Sequence, residues 1–465
     1  MSLPCVDGSV EKGEELRIAI VGCGDVGLVT GACLAVVGHH VTCVDNDGER
    51  ICALAEGRAC THEPHLGEIV AAAQRTGQLE FTTDHTEIIR RVEAVFICAE
   101  VSLLENGESD LSAIDSVARV IGGARNGPSL VITKSTLPVG TCQKLQHALE
   151  IYGRATGAKC AVACNPEFLR EGNAVCDFLH PDRIVVGVDE TSVAEKMRQI
   201  YLPILGGKLQ CPVHRGSCSA GAPPQFVVTS TISAELVKPA SNSFLALKIS
   251  YANQLAELCE RLGADVEEVT RAMGLDPRIG SRFLHAGIGY GGYFFPKRIE
   301  AFYLLAERAG VHFNLLKEVE RINRERVDRF MEKAKQALWV LKRKQVGVLG
   351  LSFKPHTEDT HSSPAIEILG RLLAEGSIVR AYDPQAMDAA RAKFPTVTYC
   401  HDAYGVASGA EAILVLTEWP EFLLLDWGRV RELMARPLVC DGRNLLNPNK
   451  MMELGFEYHS IGRPR

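Results

Sequence analysis

The stretch Leu16-Arg-Ile-Ala-Ile-Val21-Gly22-Cys-Gly24-Asp-Val-Gly27 decides how this chain is read. A continuous apolar run ends in Gly22 and passes at once into a GxGxxG pattern that opens a helical segment, so strand, tight turn and helix start are contiguous. Gly22 allows the turn, Gly24 lets a pyrophosphate approach the backbone, and Gly27 lets the helix pack on the strand, with Asp25 and Val26 between them. A second strand, Val41 to Val44, ends in Asp45. A carboxylate there accepts hydrogen bonds from the adenosine ribose hydroxyls and repels a 2′-phosphate, which predicts NAD rather than NADP. Asp25 weighs against the site, because an acid beside a pyrophosphate is unfavourable unless it points away. The bland alternative is a Rossmann domain that holds no cofactor.

Outward from this unit, short apolar runs alternate with helical patterns: Ala94 to Cys98, Leu130 to Ile132, Ala161 to Ala163 and Ile184 to Val188. Such alternation implies a mainly parallel sheet covered on both faces. Near Gly206 the pattern gives way to Gly, Ser and Pro, through Pro223 and Pro224, which reads as an exposed loop. Long helical patterns follow, from about Ile232 to Leu262 and from about Leu316 to Leu341, of a length that bridges domains and forms dimer seams. The opening motif then restarts: Val346-Gly-Val-Leu-Gly350, a helix over Ile366 to Leu373, and Ile378 to Tyr382 ending in Asp383. Phe353-Lys354-Pro355 stands where the last glycine of the fingerprint belongs, so this second turn is expected to hold a different nucleotide. The expected fold is α/β, two Rossmann-like domains with mainly parallel sheets joined by a long central helix. Its parts are 16–205 for NAD, an inserted loop at 206–228, a central helical region at 229–342 and a second nucleotide-binding domain at 343–465.

Composition narrows the function. Fifty Lys and Arg against 57 Asp and Glu give a net charge of −7, with no basic footprint for a nucleic acid. The run Lys342-Arg343-Lys344 reads as cations at a helix end, where they complement the dipole. No apolar stretch approaches the ~20 residues of a membrane helix, and the polar N-terminus has no signal-peptide core, so a cytoplasmic protein is expected. Most of the 16 cysteines sit inside apolar elements as small hydrophobes. Cys211 and Cys218, with only His214 nearby, are weak metal ligands, and no metal site is expected.

Several ordered strings then carry a family likeness: Lys134-Ser-Thr-Leu-Pro-Val-Gly-Thr141, Asn165-Pro-Glu-Phe-Leu-Arg-Glu-Gly172 with Pro181-Asp-Arg183, Ala234-Glu-Leu-Val-Lys238 through Asn242 to Lys248, Arg278-Ile-Gly280, Thr417-Glu-Trp419 and Asp441-Gly-Arg-Asn444. From about Arg17 to its end the chain resembles the nucleotide-sugar 6-dehydrogenases that act on UDP-glucose and GDP-mannose. The resemblance implies an NAD domain and a UDP-binding domain around a long helix that supports a homodimer. It also implies a double oxidation of the sugar C6, in which a cysteine captures the intermediate aldehyde. Lys238 and Asn242, four apart on one helix, share a face and can converge on one developing oxyanion. Thr136 and Glu167 follow strands at the rim of the cleft, where they can position a water or hydroxyl. Phe168 and Leu169 adjoin Glu167 in its string and are carried over with it as substrate contacts. Lys354 and Arg443 are expected on phosphate or uronate oxygens, and Arg278 resembles an arginine that reaches a neighbouring subunit's sugar site.

The family's nucleophile turn reads roughly Gly-Phe-Gly-Gly-Ser-Cys-Phe-Pro-Lys-Asp, whereas this chain has Gly289-Tyr290-Gly291-Gly292-Tyr293-Phe294-Phe295-Pro296-Lys297-Arg298. Phe294 thus stands in the place of the cysteine, Tyr293 in that of the serine and Arg298 in that of the aspartate. No cysteine lies between Cys259 and Cys400 to substitute. A phenyl ring has no nucleophilic atom, and a guanidinium is no general base, so capture of the aldehyde fails as the family performs it. Arg298 suits a ligand carboxylate or, as the blander alternative, a protein acid such as Glu300 or a more distant one. Val101-Ser102 replaces a usual Thr-Pro, and His361 a usual arginine. Three functions remain open: a two-electron oxidation of a nucleotide sugar, the full reaction with water in place of the thiolate, and a silent binder of NAD and nucleotide sugar.

Overall fold

The glycine-rich stretch folds as read, in a computed structural model that describes residues 15–58, 63–99, 101, 109–124, 126–157, 159–206, 223–293 and 295–464. The chain divides into two units, Met1–Lys238 and Pro239–Arg465.

In the first unit, eight strands run in the order β3-β2-β1-β4-β5-β6-β7-β8: β1 Arg17–Val21, β2 His40–Val44, β3 Leu79–Thr82, β4 Ala94–Ile97, β5 Leu130–Thr133, β6 Ala161–Cys164, β7 Arg183–Gly187 and β8 Gln225–Thr229. The pairing is parallel except for a single antiparallel bridge, Cys164 to Gly187, between β6 and β7. Alternation of side chains explains the continuous apolar runs. Ile18 and Ile20 enter one core, while Ala19 and Val21 enter the core on the opposite face. The strand order reverses between β1 and β4, which opens a crevice at their carboxyl ends, where ligands of such sheets bind.

Two short strands of this unit escaped the sequence reading. β3 is only Leu-Glu-Phe-Thr, too brief for its alternation to stand out. β8 corrects the 206–228 loop: Gln-Phe-Val-Val-Thr, ending in three β-branched residues, pairs with β7 directly after Pro223-Pro224, so the loop reading ran too far. Residues 207–222, with Cys211, His214 and Cys218, lie outside the described residues.

The second unit repeats the plan. Its parallel sheet has the order β11-β10-β9-β12-β13-β14, with β9 Gln345–Leu349, β10 Ile378–Tyr382, β11 Thr398–Tyr399, β12 Ala412–Val415, β13 Leu438–Asp441 and β14 Glu457–His459. The long helix Thr231–Leu262 passes from the first unit into the second. Helix Asn314–Leu338 stops three residues short of the expected Leu341, with Trp339 and Arg343 at positive φ. Lys342 to Lys344 therefore sit in the turn before β9, and Lys344 pairs with Glu411 at 2.6 Å. Among the described residues no helix is long and apolar enough to cross a membrane, and no three His, Cys, Asp or Glu side chains are grouped to hold a metal.

Candidate active site

The cofactor cradle is built by β1, the glycine turn and helix Asp25–Val36. Gly22 has φ +97°, a conformation that favours glycine, and a side chain at Gly27 would collide with the Gly22 carbonyl. A side chain at Gly24 would meet nothing within 4 Å, so the turn has open space on the side where a pyrophosphate is expected. The helix has Gly24 as its N-cap, with no side chain capping its first N–H groups, which stay available to an anion. Asp25 is exposed in the first helical turn, and Val26 is half-buried. At the end of β2, Asp45 accepts the Cys23 N–H at 2.7 Å and the Asp47 N–H at 3.0 Å, and pairs with Arg50 at 3.3 Å. Burial pushes its pKa up, but those two N–H donors and the guanidinium outweigh it and hold the carboxyl below its usual range. These residues fit NAD: a glycine turn open to phosphates and an ionised carboxylate at the ribose position.

The ends of β5 and β6 carry a second cluster. Glu167 and Lys238 form an ion pair of 3.1 Å with side chains only 5% and 8% exposed. The other Glu167 oxygen accepts the Leu169 N–H at 2.7 Å, which fixes the carboxylate. Phe168 lies beneath Lys238, whose Nζ is 5.6 Å from the ring centroid, and under the Arg183 guanidinium at 3.9 Å. Thr136 Oγ1 is buried with no hydrogen-bond partner among the described residues. An orphaned hydroxyl of this kind is a place for a ligand's polar atom. Thr136, Glu167 and Lys238 thus belong to one unit, and Asn242 follows one helical turn beyond Lys238 on the long helix.

Sequence reasoning quoted Lys134 without giving it a role. It is buried, donates to Asn165 Oδ1 at 3.0 Å and lies 3.4 Å from the Tyr201 hydroxyl, both neutral partners. Burial lowers its pKa to about 8. Asn165 Nδ2 reaches the Val185 carbonyl at 2.8 Å, so Lys134, Asn165 and Val185 link β5, β6 and β7 where the β6–β7 ladder has a single bridge. A lysine directly after an apolar strand was the available signal.

In the second unit the turn at 289–293 is held from several sides. Asn323 Oδ1 accepts the Tyr290 N–H at 2.9 Å and its Nδ2 donates to the Tyr290 carbonyl at 3.1 Å. The buried Tyr290 hydroxyl has no hydrogen-bond partner among the described residues. Gly291 has no room for a side chain beside the Ser362 carbonyl. Phe294 lies outside the described residues. Arg298 is half-buried on helix Phe295–Arg308 and already engaged within the chain. Lys354 is half-buried, with Nζ 5.2 Å from the Phe353 ring.

Arg443, expected on ligand oxygens, is instead directed at the protein. Its guanidinium donates to the carbonyls of Leu416 at 2.9 Å, Gly289 at 2.9 Å and Phe353 at 3.4 Å, and it pairs with Glu418 at 3.2 Å. It braces the 289–293 turn. Arg278 is exposed and pairs with Asp276 at 2.6 Å.

Three segments match models of one family, the UDP-glucose/GDP-mannose dehydrogenases: the NAD binding domain over residues 16–205, the central domain over 232–325 and the UDP binding domain over 347–448. A UDP-glucose 6-dehydrogenase of Pseudomonas aeruginosa is 38% identical over 461 residues, covering 97% of this chain and 98% of that protein. One from Rhizobium meliloti is 39% identical over 453 residues, covering 97% and 100%. A solved UDP-glucose dehydrogenase from Pyrobaculum islandicum has a TM-score of 0.84 at 33% identity, over 99% of this chain and 100% of that one. The cofactor read from the glycine turn and Asp45 is the one named by the matched domain. The chain belongs to the UDP-glucose/GDP-mannose dehydrogenase family.

Proposed function

We propose that this chain is an NAD-dependent oxidoreductase that takes two electrons from a nucleotide sugar, a UDP-sugar in the first instance. The observation that carries the reading is the buried Glu167–Lys238 pair in the same unit as the glycine turn, in a chain whose residue 294 is phenylalanine. Lys238, Asn242 and Thr136 bind the reacting oxygen or its water, and Glu167 fixes Lys238. Gly22, Gly24, Gly27 and Asp45 hold NAD. Phe168, Leu169, Tyr290, Gly291, Phe294, Arg298 and Lys354 line the sugar nucleotide, with Arg443 bracing the 289–293 turn and Arg278 serving a neighbouring subunit. Residues 16–205 are the NAD domain, 229–342 the central region and 343–465 the UDP-sugar domain.

A homodimer is supported by the long helix, where Phe244, Tyr251 and Leu258 recur every seven residues and are all more than half exposed. The twelve described cysteines are all free, which suits the reducing cytoplasm.

The test is the stoichiometry of NADH over a panel of UDP-, GDP- and ADP-sugars. One NADH per sugar is expected. Two would mean the full oxidation with water replacing the thiolate, the reading favoured by the relatives' identity of 38–39%. Binding of NAD and UDP-sugar with no NADH would mean a silent partner protein, the reading favoured by the three coincident changes at 293, 294 and 298.

A further inference from the structure

The end of helix Asn314–Leu338 leaves a feature that the proposed function does not use. Leu338 and Leu341 are buried in the core of the second unit, and the two residues between them turn outward: Trp339 is 89% exposed and Val340 is half-exposed. Trp339 has φ +64° and ψ −47°, and the Val340 N–H donates to the Leu338 carbonyl at 2.8 Å, which makes Trp339 the centre of a strained γ-turn. Glycine enters that conformation at far lower cost than a bulky side chain. A tryptophan there, with its ring in solvent, contributes nothing to the core.

Ile378, also half-exposed, adjoins this turn, since its N–H donates to the Lys344 carbonyl at 2.8 Å and the Arg343 N–H donates to the Gly376 carbonyl at 2.8 Å. The cations around it are unequal. Lys344 pairs with Glu411, and Lys335 with Glu375, whereas Lys342 and Arg343 are exposed and form no ion pair among the described residues. The turn precedes β9 and Ile378 opens β10, so this surface lies at the amino ends of the strands, away from the carboxyl ends where ligands of such sheets bind.

An exposed indole beside two unpaired cations matches one kind of surface. In a chain of net charge −7, an anionic bilayer attracts this turn through Lys342 and Arg343 and takes up the indole at the level of its headgroups. A protein partner would need a pocket shaped to the ring; a bilayer needs none. We propose that Trp339, Val340 and Ile378, with Lys342 and Arg343, dock this protein on an anionic phospholipid surface. One ring and two cations give weak, reversible docking rather than anchorage.

Fluorescence reports on Trp339 directly, because the chain's other two tryptophans, Trp419 and Trp427, are buried. Vesicles of mixed phosphatidylcholine and phosphatidylglycerol are expected to shift the emission to the blue, shield it from acrylamide and carry the protein down in sedimentation, all reversed by high salt. Vesicles of phosphatidylcholine alone should do none of this. Lys342→Gln and Arg343→Gln should each weaken vesicle binding roughly fivefold. Trp339→Gly should weaken it too while Tm holds, since glycine relieves the strained φ. No sedimentation with the anionic vesicles, equal sedimentation with both kinds, or wild-type binding by the double variant Lys342→Gln, Arg343→Gln overturns the proposal. So does a lipid-free self-association that Trp339→Gly dissolves, which would put a second copy on the patch.

Discussion

Glu167→Gln isolates what the buried ion pair contributes. Both side chains are almost fully enclosed, and the pair distance is 3.1 Å. Glutamine keeps the shape and can still accept the Leu169 N–H, but Lys238 loses the carboxylate that balances its charge. Removing one partner of a buried pair costs ~3–5 kcal/mol, far more than the ~0–1 kcal/mol of an exposed one. For a unit of this size each kcal/mol lowers Tm by about 2–4 °C, so a fall of roughly 6–20 °C is expected in thermal unfolding. The double variant Glu167→Gln, Lys238→Met should recover most of it, because an apolar chain over Phe168 replaces an uncompensated charge. A single variant within about 1 kcal/mol of wild type, or a double variant no more stable than the single, would refute this account of the pair.

Asp45→Ser should raise NADP affinity relative to NAD by about tenfold to a hundredfold in calorimetry, since it removes the repelling carboxylate and leaves Arg50 for a 2′-phosphate; unchanged preference sinks the assignment. Burial depresses Lys134 from its ordinary 10.5 to about 8, so between those values the unfolded chain keeps a proton the folded state has lost. Lys134 should therefore contribute roughly 3 kcal/mol more stability at pH 10.5 than at pH 8, read as the change in the difference between wild type and Lys134→Met in urea titrations, because buried thiols such as Cys98, pushed up to about 12, act in the opposite direction over the same window and cancel in that difference. Wild type incubated with a nucleotide-sugar 6-aldehyde should show no covalent adduct at residue 294 by mass spectrometry, because a benzyl side chain cannot add to a carbonyl; an adduct in 289–298 overturns the register read from the sequence.

What could be read from the residues, and what could not, follows from how local the physics is. The β-α-β units were legible because strand, glycine turn and terminal Asp are consecutive, and each constraint is steric or electrostatic within a few residues. β8 was missed because Pro223-Pro224 is strong loop punctuation and the strand after it is an edge, with Val227 and Val228 exposed rather than in a core. The Glu167–Lys238 pair spans 71 positions and was legible only as two separate candidates. The orientation of Arg443 depends on carbonyls from three distant segments, which no local pattern encodes.

The two units share one device and differ in what is left over. Gly22 donates to the Val44 carbonyl at 2.8 Å and Gly350 to the Tyr382 carbonyl at 2.9 Å, with φ of +97° and +94°. The next N–H goes to the aspartate that ends the second strand, Cys23 to Asp45 and Leu351 to Asp383, both at 2.7 Å. Beyond that point they diverge. In the first unit the helix begins at Asp25, and Asp45 keeps a side chain 14% exposed. In the second the helix begins only at Pro364, and Asp383 is fully buried. Its oxygens accept the N–H groups of Leu351, Ser352, Gln385 and Ala386, the Ser352 hydroxyl and the Trp419 indole. A carboxylate so saturated has nothing to offer a ribose, and no helix N-terminus follows its glycine to meet a pyrophosphate. One NAD per chain is therefore expected in titration calorimetry, abolished by a bulky residue at Gly24 and untouched by one at Lys354; a stoichiometry of two would show that the second turn binds the dinucleotide after all.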